Sequence, residues 1–229
     1  ITGFLGAGKT TFLKNFARQF AGRRLRLIIN EFGRAGVDGT LLRELDAALD
    51  EISNGSIFCA CRLDQFEAAL EQAAADAPDV VLVEASGLAD PTNVRRVLAQ
   101  FPAVSYQGSV CVADAARLEK VFSTARACPR QLAVSSLVLL NKTDLATEAQ
   151  CAEAKALILR ANPAARIRRT QFGRFEPEWL SLIVPDVDVD EVLDMPDITL
   201  QKAVLQIRPT MPFTALQKCL VQLAGETWR

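Results

Sequence analysis

Short apolar runs recur along the chain at residues 25–29, 80–83, 110–112 and 137–140, with a weaker one at 167–170. They are built from Val, Ile and Leu and lack the alternation of apolar and polar positions that a half-exposed strand shows. Strands of a parallel sheet covered on both faces read this way. Between them, apolar positions fall at helical spacing. Residues 11–20 carry Phe12, Leu13, Phe16 and Phe20, and residues 63–74 carry Leu63, Phe66, Leu70 and Ala73. Helices are also expected over 92–101 and 148–161, the last stopped by Asn162 and Pro163. Strands alternating with helices predict an α/β fold with a doubly wound, mostly parallel sheet.

The pattern changes near residue 185. Pro185, Asp186, Asp188, Asp190, Glu191, Asp194 and Pro196 make an acidic, proline-bounded stretch, read as a linker over 185–197 rather than as a metal-binding loop. Beyond it, residues 198–207 read as a strand. Residues 212–223 read as a helix with Phe213, Leu216, Leu220 and Leu223 on one face. One strand and one helix are too little to fold alone. The expected organisation is therefore a main domain over 1–184, the linker, and the start of a truncated α+β domain over 198–229. The chain opens on Ile1 without a Met and directly on a motif, and both ends read as cut.

Composition narrows the chemistry. The 229 residues carry 26 basic and 27 acidic side chains, a net charge of −1, which supplies no basic field for nucleic acid or an acidic membrane. There is no histidine, so Ser-His-Asp and Cys-His nucleophiles and Cys/His zinc fingers are excluded. The apolar runs are far shorter than the ~20 residues that cross a bilayer. Cys59, Cys61, Cys111, Cys128, Cys151 and Cys219 have no disulfide-framework spacing, and reduced thiols in a cytosolic protein are expected.

Gly3, Phe4, Leu5, Gly6, Ala7, Gly8, Lys9 and Thr10 fit G-x-x-x-x-G-K-S/T completely. Glycines let the backbone turn tightly and approach phosphates. The loop amides and the following helix N-terminus direct partial positive charge at the anion. Lys9 is placed to reach the β and γ phosphates, and the Thr10 hydroxyl to ligate Mg²⁺. With a helix following at once, the topology expected is that of a P-loop NTPase.

Asn141, Lys142, Thr143 and Asp144 follow directly on the run at 137–140 and match N-K-x-D. The Asp144 carboxylate can accept from guanine N1–H and the exocyclic amine together, a charge-assisted pair. Adenine presents an acceptor at N1 and would leave that carboxylate unpaired. Asn141 is expected at the far edge of the purine and the Lys142 stem over its face. The nucleotide set is thus Gly3, Gly6, Ala7, Gly8, Lys9, Thr10, Thr11, Asn141, Lys142 and Asp144, with GTP or GDP as ligand. Glu84, Ala85, Ser86 and Gly87 close the run at 80–83. Glu84 is placed to hold Mg²⁺ through water or to orient the attacking water, and the Gly87 amide to sense the γ-phosphate. Lys9, Glu84 and Gly87 form the expected catalytic set. Asp114 reads as a structural cap, Cys111 and Cys151 as core residues, Trp179 and Trp228 as packing residues. Phe172 and Gly173 stand where a loop can wrap the guanine face.

Taken with Asn30, Glu31, Phe32 and Gly33 and with Asp38, Gly39, Thr40 and Leu41, these motifs make the chain resemble the CobW family of GTPases, relatives of HypB and UreG. The resemblance runs from residue 1 to about 172. It implies a metallochaperone or metalloenzyme activator that couples GTP binding and hydrolysis to metal delivery, with a switch over 30–38 ordered by the γ-phosphate. Arg34 is a candidate arginine finger. Implied partners are GTP and a client metalloprotein or cofactor-bearing protein, with a homodimer as a further possibility.

Family members usually follow Asn-Gly with C-x-C-C, whose thiolates bind the transported ion. After Asn54 and Gly55 those positions fall here on Ser56, Phe58 and Cys59, with Cys61 two residues further on. A C-x-C pair can set two sulfurs on one side of an extended loop, half of a tetrahedral site for Zn²⁺ or Co²⁺ that Glu31 or Asp38 can complete. Two other readings stand beside it: ordinary reduced cysteines next to a turn, and a redox-sensing pair. If the metal site has been lost, the alternative function is a GTP-driven conformational activator with no cargo of its own.

Overall fold

The computed structural model describes residues 1–31, 43, 45, 47–53, 63–185 and, near the C-terminus, 212, 214, 215, 217, 218 and 221. Helix α1 (Lys9–Ala17) runs into a 3-10 turn (Arg18–Phe20) and is followed by β1 (Leu25–Glu31) and β2 (Ala48–Ser53). Then come α2 (Leu63–Asp76), β3 (Val80–Glu84), a 3-10 turn (Pro91–Asn93), α3 (Val94–Leu98) and β4 (Val110–Asp114). Helices α4 (Leu118–Thr124) and α5 (Ala127–Ala133) precede β5 (Leu137–Asn141). A 3-10 turn (Thr143–Leu145), α6 (Glu148–Ala161), β6 (Arg166–Arg169) and a last 3-10 turn (Pro177–Leu182) complete the order.

The strands form two triplets, β2-β1-β3 and β4-β5-β6, all pairs parallel. Residues 1 and 2 join them. Ala85 N donates to Ile1 O, Thr2 N to Val110 O and Val112 N to Thr2 O, each at 2.9 Å. The continuous buried runs follow from this. Leu27 and Ile29 pack with Val112, Leu137 and Leu139 against Phe12, Leu13 and Phe16 of α1 on one face. On the other, Ile28 and Ile52 meet α2 and Val97 of α3, while Cys111, Ala113, Val138 and Leu140 meet α4, α5 and α6. Successive strand residues point to opposite faces, so helices on both sides require apolar residues at every position. The doubly wound α/β expectation holds.

Several elements depart from the sequence expectation. Strand β2 was not expected, because Asp50, Glu51 and Ser53 break its apolar content. It is the edge of its triplet, held by the buried Arg26 of β1. The Arg26 guanidinium bonds both Asp50 oxygens, Nε–Oδ2 at 2.7 Å and Nη2–Oδ1 at 2.9 Å, and also contacts Asp76 at the end of α2. Helices α4 and α5 are seven residues each, too short for a periodic signal, and Pro129 lies in the first turn of α5. The helix expected over 92–101 is a 3-10 turn leading into the five residues of α3. Asp90 caps that turn, its Oδ1 accepting from Thr92 N at 3.1 Å, and Pro102 turns the chain away beyond it.

Helix α6 spans the expected residues, opened by a reciprocal capping box between Thr147 and Gln150. Strand β6 lies one residue earlier than expected. Trp179 packs edge-on against Phe175, ring centroids 5.7 Å apart, while Trp228 lies outside the described residues. So do the linker after residue 185, the strand expected at 198–207 and most of the helix expected at 212–223, of which residues 214, 215, 217, 218 and 221 are helical.

Candidate nucleotide site

The phosphate loop lies at the carboxyl edge of the sheet and feeds α1. Gly8 at the N-cap has φ +101°, and a Cβ there would sit 2.6 Å from Asn141 Nδ2, so this position needs glycine twice over. The helix begins at Lys9 with Phe12 N donating to Gly8 O at 2.9 Å. Lys9 is nearly buried, and its Nζ donates to the loop's own Phe4 carbonyl at 3.3 Å. Thr10 Oγ1 donates to Glu84 Oε1 at 3.1 Å, across 74 residues of sequence. Glu84 is buried at the end of β3. A hydroxyl and a carboxylate oxygen meeting at the head of α1 are the hard oxygen donors that Mg²⁺ takes. Those two residues fit the ion that the resemblance implies.

The loop after β3 approaches from the other side. A Cβ on Gly87 would lie 2.7 Å from Leu5 N and 2.9 Å from Leu5 Cα, so only glycine allows this segment to press against the phosphate-loop backbone. Ser86 N donates at 3.3 Å to Oδ1 of the buried Asn30, whose Nδ2 donates to Ile52 O of β2 at 3.1 Å. Asn30 thereby ties the loop to the edge strand.

The segment after β5 is stapled to the same place. Asn141 was expected at the purine edge, but its amide is 2% exposed and engaged at both ends. Nδ2 donates to Ala7 O at 2.9 Å and Oδ1 accepts from Gly173 N at 3.0 Å. Asn141 thereby aligns the phosphate loop with the loop at Gly173. Lys142, in a left-handed backbone, lays its stem back across the phosphate loop. Its Nζ reaches Gly6 O at 2.6 Å and Asp114 Oδ2 at 2.7 Å. Asp114 is more than the cap expected: Oδ1 accepts from Ala116 N at 3.1 Å while Oδ2 pairs with Lys142.

Asp144 and Thr11 are exposed. The segment holding Asp144 is tied to the end of β6, Thr143 Oγ1 donating to Thr170 O at 3.1 Å, and two residues past Thr170 stands Phe172, 63% exposed with φ +55°. Asn15 of α1 holds this turn by donating to the carbonyls of Phe172 and Gly173, each at 3.0 Å. Asn15 escaped the sequence reading because a polar residue on the exposed face of a helix carries no signal of what it reaches.

A sequence model of the CobW/HypB/UreG nucleotide-binding domain matches residues 1–169. The chain belongs to this family. Among CobW/HypB/UreG proteins it is similar to the zinc chaperone CobW of Pseudomonas aeruginosa, 32% identical over 201 residues, covering 72% of this chain and 53% of that protein. It is also similar to the zinc chaperone YjiA of Escherichia coli, 25% identical over 225 residues, covering 94% of this chain and 66% of that one. The chain thus spans between half and two thirds of these relatives' length. Its fold matches the crystal structure of Zn(II)-bound YjiA GTPase from E. coli with a TM-score of 0.58 at 22% identity, over 95% of this chain and 67% of that one.

The cargo-metal residues of the family resemblance fall mainly elsewhere. Asp38, Cys59 and Cys61, with Ser56, Phe58 and Arg34, lie outside the described residues, and Glu31 is described only as the last residue of β1. Among the described residues no three metal-binding side chains gather. Cys111, Cys128 and Cys151 are buried free thiols. Burial pushes the Cys111 thiol up to about 12 and Cys128 up as well, so both stay protonated and serve as small core residues. No described helix is long and apolar enough to cross a membrane.

Proposed function

We infer that this domain binds GTP with Mg²⁺, hydrolyses it slowly to GDP and phosphate, and couples the nucleotide state to metal delivery to a client metalloprotein. The observation that carries the reading is the meeting of Thr10 and Glu84 at 3.1 Å beside Lys9, at the mouth of a glycine loop. The loop amides of residues 6–10 and Lys9 hold the β and γ phosphates, with Lys9 exchanging the Phe4 carbonyl for a phosphate oxygen. Thr10 and, through water, Glu84 would hold Mg²⁺, which would supply neutralisation of phosphate charge. Glu84 orients the water whose oxygen attacks the γ-phosphorus as the bond to the bridging oxygen breaks, releasing GDP. The Gly87 amide faces the departing phosphoryl group. Asp144 reads the guanine edge and the exposed Phe172 ring covers its face.

Sequence similarity to proteins named zinc chaperones supports the metal-delivery part. The test loads the reduced full-length protein with Mg²⁺ and either GDP or a non-hydrolysable GTP analogue, then titrates Co²⁺. Intense sulfur-to-cobalt absorbance that requires the GTP analogue and disappears in Cys59→Ser is the expected result. Absence of that band in every nucleotide state removes the thiolate cargo site, and a turnover above about 1 s⁻¹ without a partner removes the slow-switch reading.

A further inference from the structure

The segment 85–89 carries the proposed γ-phosphate sensor, and most of what fixes its backbone comes from outside the nucleotide motifs. Gln131 of α5 is 1% exposed, and its Nε2 donates to Gly87 O at 3.1 Å and to Ala89 O at 2.9 Å. Its Oε1 is buried without a hydrogen-bond partner among the described residues. The side chain therefore acts wholly as a donor to this one loop. Next to it, Arg130 contacts Asp90, which caps the turn where the loop ends.

Helix α5 is itself a fixed platform. Asn162, buried just past the end of α6, donates from Nδ2 to Leu132 O and Ala133 O at 3.2 Å and to Ser135 O at 2.9 Å, satisfying carbonyls at the end of α5. On its other side, the loop rests against Leu5 through Gly87. Gly87 is thus set between the phosphate loop and an amide anchored in the far layer of the fold.

We propose that Gln131 is a positioning residue that presets the Gly87 backbone for the γ-phosphate, and so sets how strongly the domain distinguishes GTP from GDP. The inference rests on the GTP reading above. Holding the Gly87 carbonyl fixes the Gly87–Leu88 peptide plane, and Ala89 N donating to Ser86 O at 2.9 Å fixes the preceding one, so the Gly87 N–H between them has less freedom to lose on recognition. GDP lacks the group that Gly87 meets, and its binding is independent of Gln131.

The experiment measures affinities for GDP and a non-hydrolysable GTP analogue, with single-turnover hydrolysis and melting temperature, in wild type, Gln131→Met, Gln131→Glu and Asn162→Ala. Methionine nearly conserves volume and removes the amide, whose oxygen has no hydrogen-bond partner to lose among the described residues, so what is lost is the donor. It is expected to lower analogue affinity and the hydrolysis rate about tenfold while leaving GDP affinity within about twofold, the loss of two hydrogen bonds being felt on one side only. Ionised glutamate faces two carbonyls with no proton to donate. Protonation restores one donor, so analogue affinity of Gln131→Glu relative to wild type at the same pH is expected to recover as pH falls. That recovery is a readout a packing role would not move, and it serves if Gln131→Met does not fold. Asn162→Ala loosens the end of α5 that carries Gln131, and is expected to lower the melting temperature and to shift the analogue-to-GDP ratio in the same direction as Gln131→Met, but by less.

Equal losses for both nucleotides, or an unchanged ratio in folded Gln131→Met, would overturn the role of Gln131 while leaving the GTP reading intact. Failure of wild type to bind either nucleotide would overturn both.

Discussion

At Asp144 the proposed base preference reduces to one carboxylate, which guanine meets with two donors and adenine with an acceptor. Asp144→Asn places an NH₂ donor where guanine also donates, and a 2-oxo purine then fits better. The variant is expected to lose GTP affinity by at least about 100-fold and gain affinity for xanthosine triphosphate, read by competition binding. Neighbouring Asn141 carries a second duty of a motif residue: its amide ties two loops together, donating to Ala7 O and accepting from Gly173 N.

A single carboxyl also governs acid sensitivity at the sensor loop. Burial pushes the Asp90 carboxyl up, but hydrogen bonds from Thr92 and Arg130 outweigh it and hold it below its ordinary value. A carboxyl lowered on folding binds fewer protons in the native state, so its stabilisation is present above the ordinary value of about 4. It is lost as pH falls through the lower, folded value. Urea midpoints of wild type and Asp90→Asn between pH 3 and 7 are expected to differ at neutral pH and converge as the pH drops below about 4. A constant difference across that range would show that Asp90 acts by shape.

Edge strand β2 owes its place to an ion cluster as much as to its apolar residues. Arg26 is buried on β1, and it binds Asp50 on β2 through Nε and Nη2 while Nη1 reaches Asp76 on α2. Removing one partner of such a group leaves the others poorly solvated. Arg26→Met is expected to cost about 2–3 kcal/mol in chemical denaturation, below the full range for a buried pair because the two carboxylates keep part of their water. The loss is expected to appear as earlier exchange of β2 amides than of β5 amides. Helix α1 shows why the better-read elements were legible. Phe12, Leu13 and Phe16 recur at helical spacing, and all three go into one core. Short helices α4 and α5 give less than two turns each, below what a periodic pattern can announce.

Across the molecule, the helix–strand alternation and its long buried runs were readable because a strand covered on both faces must be apolar at every position. The phosphate loop, the acidic strand end and the N-K-x-D segment were readable for a related reason, since each is a contiguous stretch whose spacing is covalent. Local chain geometry alone places its backbone amides, hydroxyl and carboxylates in workable order. Pairings between such stretches are another matter. Thr10 meets Glu84 over 74 residues and Lys142 meets Gly6 over 136, and nothing in either neighbourhood names the other. Arg26, Asn15, Asn30 and Gln131 are polar residues whose meaning lies wholly in the carbonyls and carboxylates they reach. A donor's partner is settled by which backbone groups the packed sheet and helices leave buried and unpaired, a condition that exists only once those layers have closed.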